Sequence, residues 1–419
     1  MSSSLAALIG LALSILLILK KVSPVYSLML GALTGGLLAG SGLVGTIADM
    51  VEGVKGITPA ILRILAAGVL SGVLIKTGAA ESIARTIVHK MGSKRVYLAL
   101  AIATMLLCSV GVFIDVAVIT VAPIALMMVK STGAPVSKVL FAMIGGGKCG
   151  NIISPNPNTI IAAENYGAEL PSVMAYGILP AIIGLFITVF VIVPLFPCKK
   201  SESLGCNFNL GSLEEKNLPP FWASIIGPVV TIMLLALRPL FSIAVDPLIA
   251  LPIGGLVGIV ATRSWSVAGE SIGFGLEKMS TVAILLVGTG TIAGVINASD
   301  IKEIVVGWLD GWSIGGSIMA PLSSALMSAA TASSTAGATI ASASFSETVL
   351  SAGVSAVWAA AMTNAGATVL DHLPHGSFFH ATGGSVGMSI NERLRLIPFE
   401  TLAGLLLTIL SFICFLLFS

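Results

Sequence analysis

GGGKCGNIISPNPN, residues 145–158, interrupts what would otherwise be one more apolar crossing. It lies between VLFAMI (139–144) and TIIAAENYGAEL (159–170), and holds four glycines, two prolines, three asparagines, a serine and a lysine. Proline removes a backbone donor and glycine removes conformational restraint. The stretch therefore reads as the break in a discontinuous helix. Irregular backbone at membrane depth is tolerated only where it is buried in protein or lines a cavity. Such a break exposes backbone N–H groups and a half-helix N-terminus, which together form an anion site. Lys148 adds a full positive charge, and Asn151, Ser154, Asn156, Asn158 and Thr159 offer neutral partners for hydroxyl and carboxylate oxygens. A phosphate-binding P-loop is excluded, since it needs glycine at Ala142 and Ser or Thr at Cys149.

The surroundings explain why membrane depth is the right frame. The 419 residues are 56% hydrophobic and 10% charged, with mean hydropathy +1.04. Soluble domains carry roughly a quarter charged residues, so the chain reads as an all-α integral membrane protein. A net charge of +2 without any basic block gives no sign of a nucleic-acid partner. The first apolar stretch has its lysines after it, not before, so it reads as a helix and not a cleaved leader. The five cysteines (Cys108, Cys149, Cys198, Cys206, Cys414) lack zinc spacing, and Cys198 and Cys206 read as free thiols in a polar loop.

Continuous spans are expected at 3–19, 24–46, 59–77, 172–196, 220–242, 246–262, 279–297 and 396–418. Two more, 139–168 and 352–389, are interrupted. Segments 97–130 and 314–346 each have two apolar arms around a small polar centre and read as re-entrant hairpins. With the N-terminus outside, the inner side receives Lys20, Lys21, the run Lys76 to Arg95, Lys130, Lys138, Lys199, Lys200, Lys216, Arg263, Lys278, Arg393 and Arg395. Lys55, Arg63, Arg238 and Lys302 stay outside, so the positive-inside rule is satisfied and both termini fall on the outer side. The polar loop 197–219 then separates two repeats, 1–196 and 220–419. Each holds about five transmembrane helices, one of them broken, plus one hairpin. GVLSGVLIKTG from Gly68 matches GTIAGVINASD from Gly290. An odd number of crossings per half makes the second inverted, the pattern of secondary transporters with a site at the repeat interface.

Asp115 stands at the first hairpin tip, GVFIDVAVITVAP (111–123), and an intramembrane carboxylate is a functional candidate by default. It is read as a proton carrier or as the partner of Lys148. The second tip, TASSTAG (331–337), supplies Thr331, Ser333, Ser334 and Thr335. The second break, TNAGATVLDHLPHG (363–376), contributes Asn364 and a possible proton-handling pair, Asp371 and His372, with His375 and His380 close in sequence. Two histidines and an aspartate also resemble a metal set, but no metal and no other cofactor is expected here.

At these residues the sequence resembles the gluconate:proton symporter family of the ion-transporter superfamily. GGGKCGNIISPNPNTI carries the resemblance, supported by GVFIDVAVITVAPIAL and LDHLPHGSFFHATGGS. It implies uptake of small hydroxy-carboxylates such as gluconate, glycerate or hydroxybutyrate across a bacterial inner membrane. It also implies a homodimer with an elevator-like transport domain. The expected function is thus proton symport of a hydroxy-acid anion in a lipid bilayer. Lys148, Asn151, Ser154, Asn156, Asn158, Thr159, Thr331, Ser333, Ser334, Thr335 and Asn364 are expected to bind substrate. Asp115, Asp371 and His372 are expected to couple the proton. Sodium coupling is the alternative within transport. An intramembrane metalloenzyme lacks an H-E-x-x-H helix, and a channel lacks a ring of basic pore residues.

Overall fold

The computed structural model describes residues 2–197, 217–300, 315–374 and 376–419, and every regular element among them is a helix. Cys198, Cys206, His375 and the stretch between Asp300 and Gly315 lie outside the described residues. The first half runs α1 (Ser3–Leu19), α2 (Pro24–Ala39), α3 (Gly42–Lys76), α4 (Ala79–Met91), α5 (Val96–Ser109) and α6 (Ile114–Thr132). It continues with α7 (Val136–Asn151), α8 (Pro157–Tyr166) and α9 (Leu170–Ile187), the last prolonged through a π turn to Leu195. The second half runs α10 (Phe221–Phe241), α11 (Pro247–Thr262), α12 (Ala268–Asn297), α13 (Gly315–Thr331) and α14 (Ser334–Ser351). α15 (Ala356–Gly366), α16 (Ser377–Ser385), the short α17 (Ile390–Leu394) and α18 (Ile397–Phe418) complete it.

Two expected spans are longer than hydropathy marks. α3 is one helix of 35 residues and α12 one of 30. Asp49, Glu52 and Lys55 dilute the apolar signal of the first, and Glu270, Glu277 and Lys278 that of the second, yet neither group breaks a helix. The expected 24–46 span stops at Ala39 instead, because Gly40 takes a left-handed conformation (φ 91°) that ends α2. The polar stretch 145–158 is also corrected: α7 stays helical to Asn151, and only 152–156 are irregular. The glycines there serve packing. A Cβ at Gly146 would lie 2.1 Å from the carbonyl oxygen of Ala101, and one at Gly150 2.2 Å from that of Met105. Small residues allow such close helix approach inside membranes. In the second half the irregular residues are 367–374 and 376.

The longest interface joins α3 to α12. Gly53 meets Gly290 and Gly294, whereas Gly68 and Gly72 meet Gly275. The two helices therefore run antiparallel. One offset of 222 carries Gly53, Gly68 and Gly72 onto Gly275, Gly290 and Gly294 (275 − 53, 290 − 68, 294 − 72), and under it the contacts exchange. Other pairs exchange likewise. α5 packs on α7 as α13 packs on α15, and α8 on α14 as α16 on α6. α2 packs on α12 as α11 packs on α3. Arg63 of α3 is an ion-pair centre within its helix, joined to Glu164 of α8 and, at 2.8 Å, to Asp246, the N-cap of α11. Arg238 pairs with Glu169 at 2.8 Å.

Candidate functional site

Four half-helices begin around one cavity of about 530 Å³. They are α6, α8, α14 and α16: the second arm of each hairpin and the second half of each broken helix. Three of these starts have a local cause. Asn156 caps α8, its side chain accepting from the Thr159 N–H, and Pro157 supplies the fixed φ of a first helical residue. Ser333 caps α14 by accepting from Ala336 N–H. Gly376 precedes α16 where no Cβ fits, since one would lie 2.6 Å from Ala332 at the second hairpin tip. A helix N-terminus carries roughly half a positive charge, so four of them add positive potential to a cavity whose lining also holds Asp115, Asp371 and Lys278.

Among the fourteen candidate site residues, Asp115, Asn151, Asn158, Ser333, Ser334, Thr335 and Asp371 line this cavity. The others stand behind it. Asn156 donates to Asn151, and Thr159 accepts from Asn364 at 2.9 Å. Thr335 donates to Asn158 at 2.7 Å, and Tyr166 meets Thr363 at 2.9 Å, so α8 is tied to α14 and α15 of the other half. Thr331 bonds back to the Met327 carbonyl of its own helix. Nine buried side-chain polar atoms among the described residues lack a partner. Four of them lie in or beside the two breaks: Asn151 Nδ2, Ser154 Oγ, Asn158 Nδ2 and Asn364 Oδ1. Buried polar groups are nearly always paired in native structures. Such a cluster of orphans, with Asn151 and Asn158 on the cavity wall, leaves unused hydrogen-bonding capacity beside the cavity.

Lys148 is placed differently from the sequence expectation. It is 0% exposed, does not line the cavity, and its counter-charge is Asp371 at 2.5 Å, not Asp115. Its remaining donors go to the Thr368 carbonyl and to His372 Nδ1 at 3.2 Å. His372 Nε2 sits 3.1 Å from the Ile397 carbonyl, which can only accept, so Nε2 carries the ring hydrogen. In the neutral ring Nδ1 is then an acceptor for the ammonium. His380 is exposed and bonded to the Pro374 carbonyl, apart from this group. Asp115, in the first turn of α6, is half-buried and accepts from the Val116 N–H at 2.9 Å.

Sequence reasoning missed Lys278, which lines the cavity together with Ser23, Thr281, Ser377 and Phe378. Counting it among the loop lysines hid it; α12 begins ten residues earlier, at Ala268. The N-cap pair Asn156–Pro157 is the one signal that could have placed the start of α8 directly.

Comparison with known proteins gives the same architecture and adds a family. The model of the GntP family permeases matches residues 3–419. An uncharacterized transporter of Haemophilus influenzae is 52% identical over 413 residues, covering 99% of this chain and 98% of that one. The Gnt-II system L-idonate transporter of Escherichia coli is 29% identical over 242 residues, 56% of this chain and 54% of its own. The high-affinity gluconate transporter of Escherichia coli is 26% identical over 225 residues, 53% and 50% respectively. Among solved structures, the YdaH transporter of Alcanivorax borkumensis superposes with a TM-score of 0.63 at 15% identity. The match covers 90% of this chain and 88% of that one, a likeness of fold.

Proposed function

The chain belongs to the GntP family of permeases, multi-pass membrane transporters and not enzymes, and on that premise we propose that it imports a small hydroxy-acid anion together with a proton. The convergence of four half-helix N-termini with the orphaned amides of Asn151 and Asn158 carries this reading. Backbone N–H groups and helix dipoles suit a carboxylate, and amide and hydroxyl groups suit the hydroxyls of gluconate, glycerate or hydroxybutyrate. Relatives named for gluconate and L-idonate support that class.

Coupling follows from Asp115. Its carboxylate lines the same cavity, in the first turn of α6, where the substrate anion would be received. Two like charges ~5 Å apart at an effective dielectric of ~20 repel by about 3 kcal/mol, so the anion binds with a proton on Asp115. Asp371 and His372 are the second coupling candidates. A proton on His372 Nδ1 would turn it from accepting the Lys148 hydrogen to donating to Asp371, 3.1 Å away.

The antiparallel α3–α12 seam and its exchanged contacts support two inverted repeats, 1–196 and 220–419, joined by a cytoplasmic loop at 197–219. Hairpins and broken helices would move as an elevator against that seam. The cavity rim at Ser23 and Pro24 adjoins Lys20 and Lys21, which supports reading it as the cytoplasmic side of an inner membrane with both termini outside. We read the functional unit as a homodimer of protomers with separate cavities, since both halves of one chain line each cavity.

Purified protein in proteoliposomes tests this with gluconate, glycerate and 3-hydroxybutyrate under an imposed pH gradient. Wild type should accumulate one of them, and Asp115→Asn should lose accumulation while still exchanging substrate for substrate. Accumulation that follows a sodium gradient and ignores pH would end the proton reading.

A further inference from the structure

The two lysines near the site hold different positions, and only one is free to meet a ligand. All three donors of Lys148 are taken by Thr368, Asp371 and His372. Lys278 lines the cavity, is exposed, and is the one cation in that lining among the described residues. It rests on the Phe274 ring, 5.5 Å to the centroid, and among the described residues no carboxylate stands within ion-pair distance of it. The charges facing it across the cavity are Asp115 and, deeper, Asp371. Asp371 is already neutralised by Lys148.

The anchoring of Lys278 gives it a distinct task. It stands on α12 three residues beyond Gly275, whose backbone is pressed against Gly68 of α3. No Cβ could be added to Gly275 without lying 1.9 Å from the Gly68 carbonyl, so this part of α12 is locked to α3. The half-helix N-termini belong to the hairpins and broken helices instead. Any relative motion between those elements and the seam changes the distance from Lys278 to the site.

We propose that Lys278 is the carboxylate-docking residue at the cavity rim, a cation fixed to the α3–α12 seam that the substrate meets when the cavity opens on this side. It selects anions over neutral polyols of the same shape, and it exchanges the anion with the α6, α8, α14 and α16 N-termini deeper in. Asp115 faces it in the same cavity lining without an ion pair between them, so the ammonium is open to an incoming carboxylate. This inference rests on the transport reading above and adds a residue and a side to it.

The experiment measures binding of gluconate, glycerate and 3-hydroxybutyrate to the purified full-length protein, with sorbitol and glycerol as uncharged controls. Lys278→Gln should weaken the acid that wild type binds by about tenfold, equivalent to ~1.4 kcal/mol, and Lys278→Arg should restore most of it. Neither variant should alter thermal unfolding, because the side chain is exposed. In oriented vesicles, Lys278→Gln should raise half-saturation from the Ser23 side more than from the opposite side, a bias that a structural role would not produce. Equal affinity of wild type and Lys278→Gln for the acid overturns the proposal, as does an equal change from both sides. If wild type binds none of the three acids, the transport reading itself falls and this inference with it.

Discussion

Lys148→Met separates a lysine that receives substrate from one that holds the fold. Methionine keeps most of the length and removes the charge. In the native structure the ammonium is fully buried and its three hydrogens go to the Thr368 carbonyl, Asp371 and His372 Nδ1. The substitution strands a carboxylate that is itself 4% exposed. Removing one partner of a buried ion pair costs ~3–5 kcal/mol, because the remaining charge stays buried and uncompensated. Stranded neutral acceptors each cost ~1–3 kcal/mol, but these terms overlap and do not add. Lys148→Met alone should therefore destabilise by ~3–5 kcal/mol. The double variant Lys148→Met/Asp371→Leu removes both charges and should recover most of that loss, a coupling that a double-mutant cycle measures. Thermal unfolding in detergent, run beside binding of the three hydroxy-acids, is the assay. A Lys148→Met protein as stable as wild type that has lost only acid binding would refute the reasoning. It would return Lys148 to the substrate.

Two further outcomes test other parts of the structure. Gly53→Leu and Gly275→Leu should destabilise to a similar degree, ~1–3 kcal/mol each by overpacking. Their Cβ atoms would lie 2.1 Å from the Gly290 carbonyl and 1.9 Å from that of Gly68. Tolerance at one site with unfolding at the other would break the correspondence by 222 residues. At Asp246, hydrogen bonds from the Arg63 guanidinium hold the carboxyl below the usual carboxylate range. A depressed folded value stabilises above the unfolded one and loses that contribution as pH falls through the folded value. Melting temperatures of wild type and Asp246→Asn should thus differ at neutral pH and converge in acid; a gap that widens in acid would contradict the pairing.

The sequence exposed the outline of the site because polar islands in apolar spans are costly and easily seen. Asp115, the second hairpin tip and both breaks stand out against Val, Ile, Leu and Ala, and the structure gathers their half-helix starts around one cavity. What sequence left hidden falls into three kinds. Glycines at 145–147 and 150 look alike whether they unwind a helix or let another approach it, and here they do the second. The partner of Lys148 is 223 residues away in sequence, and only tertiary packing brings it to 2.5 Å. Lys278 carries no local signal at all. A lysine near the end of an apolar stretch reads as an anchor, and its position on the cavity rim depends on how far α12 extends.

The α3–α12 seam also sets a schedule for synthesis. Gly53 has its partner at Gly290, 237 residues downstream (290 − 53). At ~5–20 residues per second the ribosome takes roughly 12–47 s to reach it. During that interval the glycine face of α3 has only lipid to meet, in a membrane where packing and not hydrophobicity drives helix association. The first half therefore inserts early but cannot settle until α12 arrives, so a chain cut at the central loop would hold its helices in the bilayer without the interface that orders them.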